Sequence, residues 1–422
     1  MTPARRARAN AWLVVGGQAV STVGDSMLLV VLPLMVLDLT GSPLQVSLVF
    51  VLTQLPAFLG FLAGTPRRRF RPRTLLIAYD VLRAGFVLGI AAVLGLGIDL
   101  LLPVYGLVFL TNVATMLFRP ARIELVTYLA PAGALRRFNS YDRTFEALAT
   151  AGGAALGGYA YAYLSLPMAF TVAALTFAAS ALAMLPVRAV WAPSRPGEDR
   201  ATTVVATSFR AVVASVRRRR VPACLLGGET LTGVSFGIFL AVFVIYSREH
   251  LGVSGVTFGQ FEMVQALSAT AAGVLLGSGR LPLSDRDLAV LGYLGMGLSF
   301  LALGVNSVVW VVFPLMVSLG VTNMFYAVAV RTLLQDSCGP QELVHVFALE
   351  SILSRTALIV GAAAAGAVLT LAAVPVGGIL VAAGLIVVVV AAWGHRVLPA
   401  PAPAAPGGGA GSEWLSTSSS SS

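Results

Sequence analysis

The stretch "LAGTPRRRFRPRTLLIAYD", residues 62–80, sets five arginines into the seven positions 67–73, between two long apolar runs. Three explanations fit so much charge in so short a segment. It could bind a polyanion, fix the orientation of a membrane protein, or belong to a moving machine. The flanking sequence decides between them.

Of the 422 residues, 57% are hydrophobic and 11% are charged, against the roughly 25% charged residues of a soluble domain. The mean hydropathy of +0.88 points the same way. The apolar residues fall in blocks of about 20, long enough to cross a hydrocarbon core of roughly 30 Å as helices. The chain reads as an all-α integral membrane protein whose surroundings are the lipid bilayer. Its 43 glycines fit that reading, because small residues let membrane helices approach closely. The net charge of +10 raises the question of nucleic acid, but all 28 basic residues are arginine. That usage reflects GC-rich coding, and no nucleic-acid partner is expected. Cys224 and Cys338 are read as free thiols, and no cleavable leader is expected.

Twelve spans are expected, near 11–37, 44–65, 74–97, 101–122, 143–165, 167–187, 222–246, 256–279, 287–305, 308–331, 346–370 and 374–395. They divide the chain into an N-terminal tail (1–10), a six-helix bundle (11–187), a central loop (188–221), a second six-helix bundle (222–395) and a low-complexity, disordered tail (396–422). Arginine position sets the orientation. The N-terminal tail holds three, the 2–3 loop five and the segment 188–220 eight, whereas the short loops of the other side offer only Arg248. Short arginine-rich loops stay inside, so both termini are placed in the cytoplasm.

The halves resemble each other. A shift of 211 residues sets Gly41 on Gly252, Phe50 on Phe261, Gln54 on Gln265 and Thr111-Asn112 on Thr322-Asn323. A shift of 209 sets Arg122 on Arg331, Pro131 on Pro340, Phe138 on Phe347, Gly152 on Gly361 and Gly157 on Gly366. Matches of Gln, Asn, Arg and Pro in order, at equivalent depths, imply a parallel repeat of six helices, as in major facilitator transporters.

The first half also carries the pieces "STVGDSM" (21–27), "LTGSPLQVSL" (39–48), "YDVLRAG" (79–85), "FRPARIELV" (118–126) and "GGAALGG" (152–158). With these the chain resembles the drug:proton antiporter branch of the major facilitator superfamily, which includes macrolide efflux and enterobactin exporters. The resemblance is dense in the first half and thins in the second to "HLGVSG" (250–255), the loop near Arg331 and the glycines of span 11. It implies two pseudo-symmetric six-helix bundles and a monomer in a bacterial cytoplasmic membrane. It also implies outward movement of a small amphiphilic substrate (antibiotic, secondary metabolite or siderophore) against inward protons.

An ionisable group in hydrocarbon costs at least about 2.5 kcal/mol on insertion scales, so each needs a reason. Asp25, mid-way along span 1, is the first candidate for a proton-titrating carboxylate, or else a structural acid bonded to Ser21 or Ser26. Glu229 and Glu262 follow it. Gln54, Asn112, Gln265 and Asn323 lie at mid-depth in spans 2, 4, 8 and 10, where the resemblance puts a central cavity; they are the candidate substrate contacts or, alternatively, interhelical hydrogen bonds. Glu146 and Arg355 are repeat counterparts of opposite charge. They either gate the cytoplasmic mouth between the halves or pair locally, Glu146 with Arg143 and Arg355 with Glu350. Gly153, Gly157 and Gly158 would thin span 5 for close packing. The resemblance adds Arg122 and Arg331 to the gating set, with Gly64, Arg69, Arg73, Asp80 and Arg83 from the superfamily's loop between spans 2 and 3. In that loop Arg68 stands where the superfamily has an acid, and Asp80 is the candidate replacement. No Walker loop, metal-ligand cluster, cofactor motif or hydrolase triad is present, so neither an enzyme nor a cofactor is expected. Other transport modes of the same fold, or a non-transporting scaffold or sensor, remain as alternatives.

Overall fold

The computed structural model describes residues 3–58, 72–97, 101–129, 135–187, 215–216, 218–372 and 374–398. The arginines at 67–71, the central segment 188–214 and the tail from 399 lie outside the described residues, as do Gly64 and Arg69 of the gating set.

Twelve α-helices stand among the described residues: α1 (Pro3–Thr40), α2 (Pro43–Gln54), α3 (Pro72–Gly95), α4 (Leu101–Leu129), α5 (Leu135–Tyr163), α6 (Leu166–Met184), α7 (Arg220–Ile245), α8 (Gly255–Gly277), α9 (Asp285–Val305), α10 (Val309–Ser337), α11 (Pro340–Leu371) and α12 (Val376–Val397). A π-helical turn, Tyr246–His250, extends α7. Local chemistry sets the ends. Proline occupies the first turn of α2, α6 and α11, where its missing N–H costs nothing. The Ser254 and Ser284 hydroxyls accept the Thr257 and Asp287 N–H groups at 3.3 and 3.2 Å and cap α8 and α9. Gly41 and Gly252, paired in the sequence repeat, follow α1 and the π-helical turn with φ of 59° and 63°. Only glycine takes that left-handed conformation without strain.

Several helices start earlier than hydropathy indicates: α1 at Pro3 rather than 11, α5 at Leu135 rather than 143, and α11 at Pro340 rather than 346. No helix breaker interrupts those polar stretches, so the helices run on beyond the apolar blocks. Eight helices are long and apolar enough to cross a bilayer by themselves. The other four are α2, α4, α5 and α8; among the described residues α2 and α4 have shorter apolar stretches, Pro43–Phe58 and Leu101–Leu117.

The halves repeat one packing scheme. Helix α1 packs on α5 and α6 and α3 on α4 and α6; α7 packs on α11 and α12 and α9 on α10 and α12. The halves meet through α5 against α8 and α2 against α11, two contacts exchanged by the repeat. Close approach depends on glycine. A Cβ on Gly158 would stand 2.5 Å from the Gly255 carbonyl oxygen, and one on Gly366 would collide with the Ser47 side chain. Of the glycine run, Gly153 and Gly157 instead face Val23, Ser26 and Met27 of α1, within the same half. Between α7 and α11 a Cβ on Gly237 would strike the Leu358 carbonyl, and one on Gly361 that of Val234.

The interiors differ. In the second half Phe239 stacks on Phe243 at 4.9 Å and on Phe300 at 5.0 Å, and Phe261 meets Phe313 edge-on at 4.9 Å.

Replacing Gly237 by Ala should lower stability by about 1–3 kcal/mol, the usual cost of overpacking, whereas Gly85→Ala, with nothing within 4 Å, should be neutral. Thermal unfolding of the detergent-purified protein measures the difference.

Candidate functional site

A cavity of about 390 Å³ lies inside the first half. It is lined by α1, α2, α3, α4 and α5, with Arg355 of α11 as its contact from the second half. It runs from mid-helix to the end of the bundle that carries both chain termini, where Arg122, Glu146 and Arg355 stand at its rim.

Its floor is a buried ion cluster. Arg83 of α3 is 1% exposed and Asp80 0%. The Arg83 guanidinium pairs with Asp25 of α1, donates to Asp80 Oδ1 at 3.1 Å and donates to the Ser21 hydroxyl at 2.8 Å. Its carbon lies 4.0 Å over the Phe177 ring of α6. The α3 sequence creates this arrangement, since Asp80 and Arg83 three residues apart share one helix face. Asp25, by contrast, is 38% exposed and opens onto the cavity. Two carboxylates therefore meet one guanidinium, and only one carboxylate is accessible. Asp80 and Arg83, expected at the gate, take part in this cluster; Arg68, whose slot Asp80 was expected to serve, lies outside the described residues.

The remaining polar lining is largely composed of acceptors. Thr53, Thr111, Thr115 and Thr150 each give their hydroxyl hydrogen to a carbonyl of their own helix at 2.8–3.0 Å. Asn112 Nδ2 donates to the Val108 carbonyl at 2.9 Å, and Gln18 Nε2 to Thr22 at 3.2 Å, which leaves Gln18 Oε1 unpaired and buried. These hydroxyls and amides give their hydrogens to the protein and keep acceptor oxygens, and they share the lining with the apolar Leu28, Leu32, Val49, Phe50 and Met116. A ligand that fits must bring hydrogen-bond donors and an apolar surface.

Gln54 and Asn112 line the cavity, and Gln54 Oε1 accepts from Arg355 at 3.1 Å. Gln265 and Asn323 lie outside that lining. Glu146 meets Arg143 at 3.3 Å. The Glu146–Arg355 pair is not formed; both groups border the same rim. Arg122 pairs with Asp142, whereas its counterpart Arg331 lies 5.6 Å over the Phe347 ring. Arg73 donates to the Met184 carbonyl at 3.0 Å and to that of Leu185, and so caps α6 within its own half. Glu262 lies on α8, and Glu229 faces Glu350 between α7 and α11.

The opposite end is shut by groups that the sequence did not single out as a set. Asp38, at the end of α1, accepts from Tyr161 of α5 at 2.5 Å and pairs with Arg248 of the π-helical turn at 2.9 Å. Arg248 also donates to the Val253 carbonyl at 3.1 Å. The signal was present in the sequence, because Arg248 is the lone arginine of that side. Its partner needed the fold, since 210 residues separate it from Asp38.

Residues 14–349 match the family described as Major Facilitator Superfamily. Nothing among curated proteins matches significantly. Among solved structures, a point variant of the nucleoside transporter NupG superposes with a TM-score of 0.76 at 12% identity, covering 92% of this chain and 100% of its own. A bacterial homologue of the human lysosomal transporter Spinster, inward-facing and unoccupied, gives 0.69 at 11% identity, with coverages of 94% and 97%. A bacterial metal transporter gives 0.65 at 13%, with 92% and 98%. At these identities the likeness is one of fold.

Arg83→Leu should cost about 3–5 kcal/mol, because it strands the buried Asp80 carboxylate. The double substitution Arg83→Leu with Asp80→Leu should recover most of that loss, read as melting temperature in detergent.

Proposed function

The chain belongs to the Major Facilitator Superfamily, and from that premise we propose that it is a secondary active transporter that exports a small amphiphilic compound by proton antiport. It works by alternating access, as a multi-pass protein of a bacterial cytoplasmic membrane with both termini inside. The observation that carries the reading is Asp25, exposed to the cavity on one side and tied to the buried Arg83 on the other.

The chemistry follows from charge. With both carboxylates ionised the cluster of Asp25, Asp80 and Arg83 carries one net negative charge, and with a proton on Asp25 it carries none. A cationic substrate at Asp25 neutralises the cluster equally well. Proton and substrate therefore compete for one carboxylate, and competition for one site is sufficient for exchange. The acceptor-rich lining supports a substrate with N–H or O–H donors, and the apolar wall supports a hydrophobic body. The rim arginines lie at the end that the arginine-rich loops place in the cytoplasm, so the cavity stands open to the compartment from which an exporter loads. The closed Asp38–Tyr161–Arg248 end is then the external gate, which must part for release.

The two probes are ethidium, a permanent cation with aromatic amino groups, and tetraphenylphosphonium, a cation without N–H donors. Everted vesicles containing the protein should accumulate ethidium when their interior is acidified, and tetraphenylphosphonium at least about tenfold less, the equivalent of 1.4 kcal/mol of lost pairing. Asp25→Asn should abolish the gradient-driven accumulation. Full coupled uptake by Asp25→Asn would remove this residue from the mechanism, and uptake only in right-side-out vesicles would make the protein an importer.

A further inference from the structure

Asp80 is the acid of the ion cluster that the cavity does not reach. It is 0% exposed, and it shares the Arg83 guanidinium with the accessible Asp25. Asp80 Oδ1 accepts from Arg83 at 3.1 Å and from the Ser21 hydroxyl at 3.3 Å, while the Ser21 oxygen accepts from Arg83 at 2.8 Å. Two donors converging on one oxygen favour the charged form of a carboxyl. Ser21 stands one turn before Asp25 on α1, so a single face of that helix meets the guanidinium. Asp80 holds the same guanidinium from behind.

Packing on either side of Asp25 fixes its backbone. A Cβ on Gly24 would collide with the Thr176 side chain of α6, and one on Gly153 of α5 would stand 2.7 Å from the Ser26 Cβ. Arg83 is 1% exposed and lies under the Phe177 ring at 4.0 Å. The three charges therefore act on one another at set separations in an interior of low dielectric, where each is felt strongly. Among the described residues Arg83 is the cation that pairs with Asp25. Of the helices around it, α2 and α6 carry no charged residue. The other charged groups of the lining, Glu146 of α5, Arg122 of α4 and Arg355 of α11, stand at the rim. Glu229 of α7 and Glu262 of α8 lie outside that lining.

We propose that Asp80 is a positioning residue for the exchange: by holding part of the Arg83 charge away from Asp25, it sets the pH at which Asp25 trades its proton for substrate. The inference rests on the reading of Asp25 as the exchanging carboxylate, and adds what tunes it. Facing Arg83 alone, Asp25 would be fully neutralised, and neither a proton nor a cationic substrate would meet a net charge. Asp80 restores that charge. Because Asp80 is sealed, the charge is answered only where the cavity reaches, at Asp25. When Asp25 takes a proton or a cation, Asp80 and Ser21 still hold the guanidinium, so Arg83 is never left unpaired in the interior.

Binding of ethidium to detergent-purified protein, followed by fluorescence through a pH series, tests this. With ethidium far below half-saturation, the pH at which half the binding is lost reports the proton's side of the competition alone. Asp80→Asn keeps an acceptor for Arg83 but removes the charge, so half-loss should move to lower pH by at least about one unit, the lower end of what an opposite charge does to a neighbouring carboxyl. Asp80→Glu should stay near the wild-type value. If Asp80→Asn fails to fold, Arg83→Lys supplies the reading. A point charge in place of the fork serves one acid, the sealed Asp80, and half-loss should move to higher pH. The proposal is overturned if Asp80→Asn or Arg83→Lys leaves half-loss at the wild-type pH or moves it the other way, or if Asp80→Glu shifts it as far as Asp80→Asn. Asp25→Asn separates the two readings, since it should bind ethidium weakly and without pH dependence. If Asp25→Asn keeps the wild-type profile, the exchange reading falls and this inference with it. If Asp25→Asn loses the profile while Asp80→Asn leaves it unmoved, only this inference falls.

Discussion

A guanidinium in the interior of a membrane protein has to be paired, and the pairing of Arg83 organises the first half of this molecule. Its partners come from two helices, Asp80 from its own α3 and Asp25 and Ser21 from α1, and Phe177 of α6 covers its face. Removing one member of such a group leaves a buried charge with no partner, so the three helices are held in one arrangement. The same pairing orients Asp25, the one carboxylate of the cluster that reaches the cavity. The residue that holds the helices together is therefore also the one that sets the accessible acid of the cavity.

Around that cluster the two halves share a backbone plan but differ in their interiors. Glycine sets the close helix contacts in both, within each half and across the interface. The second half is packed with stacked phenylalanines, whereas the first keeps its cavity. Closure at one end rests on a short polar set, Asp38 with Tyr161 and Arg248, and on glycine contacts between α5 and α8. At the other end the charged rim residues pair locally: Glu146 with Arg143, and Arg122 with Asp142.

Hydropathy was sufficient for twelve helices, because a bilayer leaves few other solutions, and the residue matches at shifts of 211 and 209 for their division into two repeats. Of the glycine matches between the halves, Gly157 and Gly366 both lie at close helix contacts, Gly41 and Gly252 both follow helix ends with positive φ, and Gly152, unlike Gly361, has nothing within 4 Å. Individual contacts were less legible. Asp25 stood out as an acid in an apolar run, but its link to Asp80 and Arg83 joins residues far apart in sequence. The family resemblance assigned those two to a gate because they follow the signature loop. The symmetry of Gln265 with Gln54 and of Asn323 with Asn112 suggested a symmetric cavity. The cavity takes Gln54 and Asn112 into its lining and leaves Gln265 and Asn323 out of it. The Asp38–Arg248 pair escaped notice because an aspartate at a helix end and an arginine in a short loop are individually unremarkable.

The central claim is that substrate and proton compete for Asp25. It is tested most directly by counting protons released from detergent-purified protein in weak buffer when ethidium is added, with a pH-indicator dye as readout. The account predicts proton release on saturation in the wild type and none from Asp25→Asn. Equal release from both proteins, or ethidium binding by the wild type with no proton released at any starting pH, would contradict it.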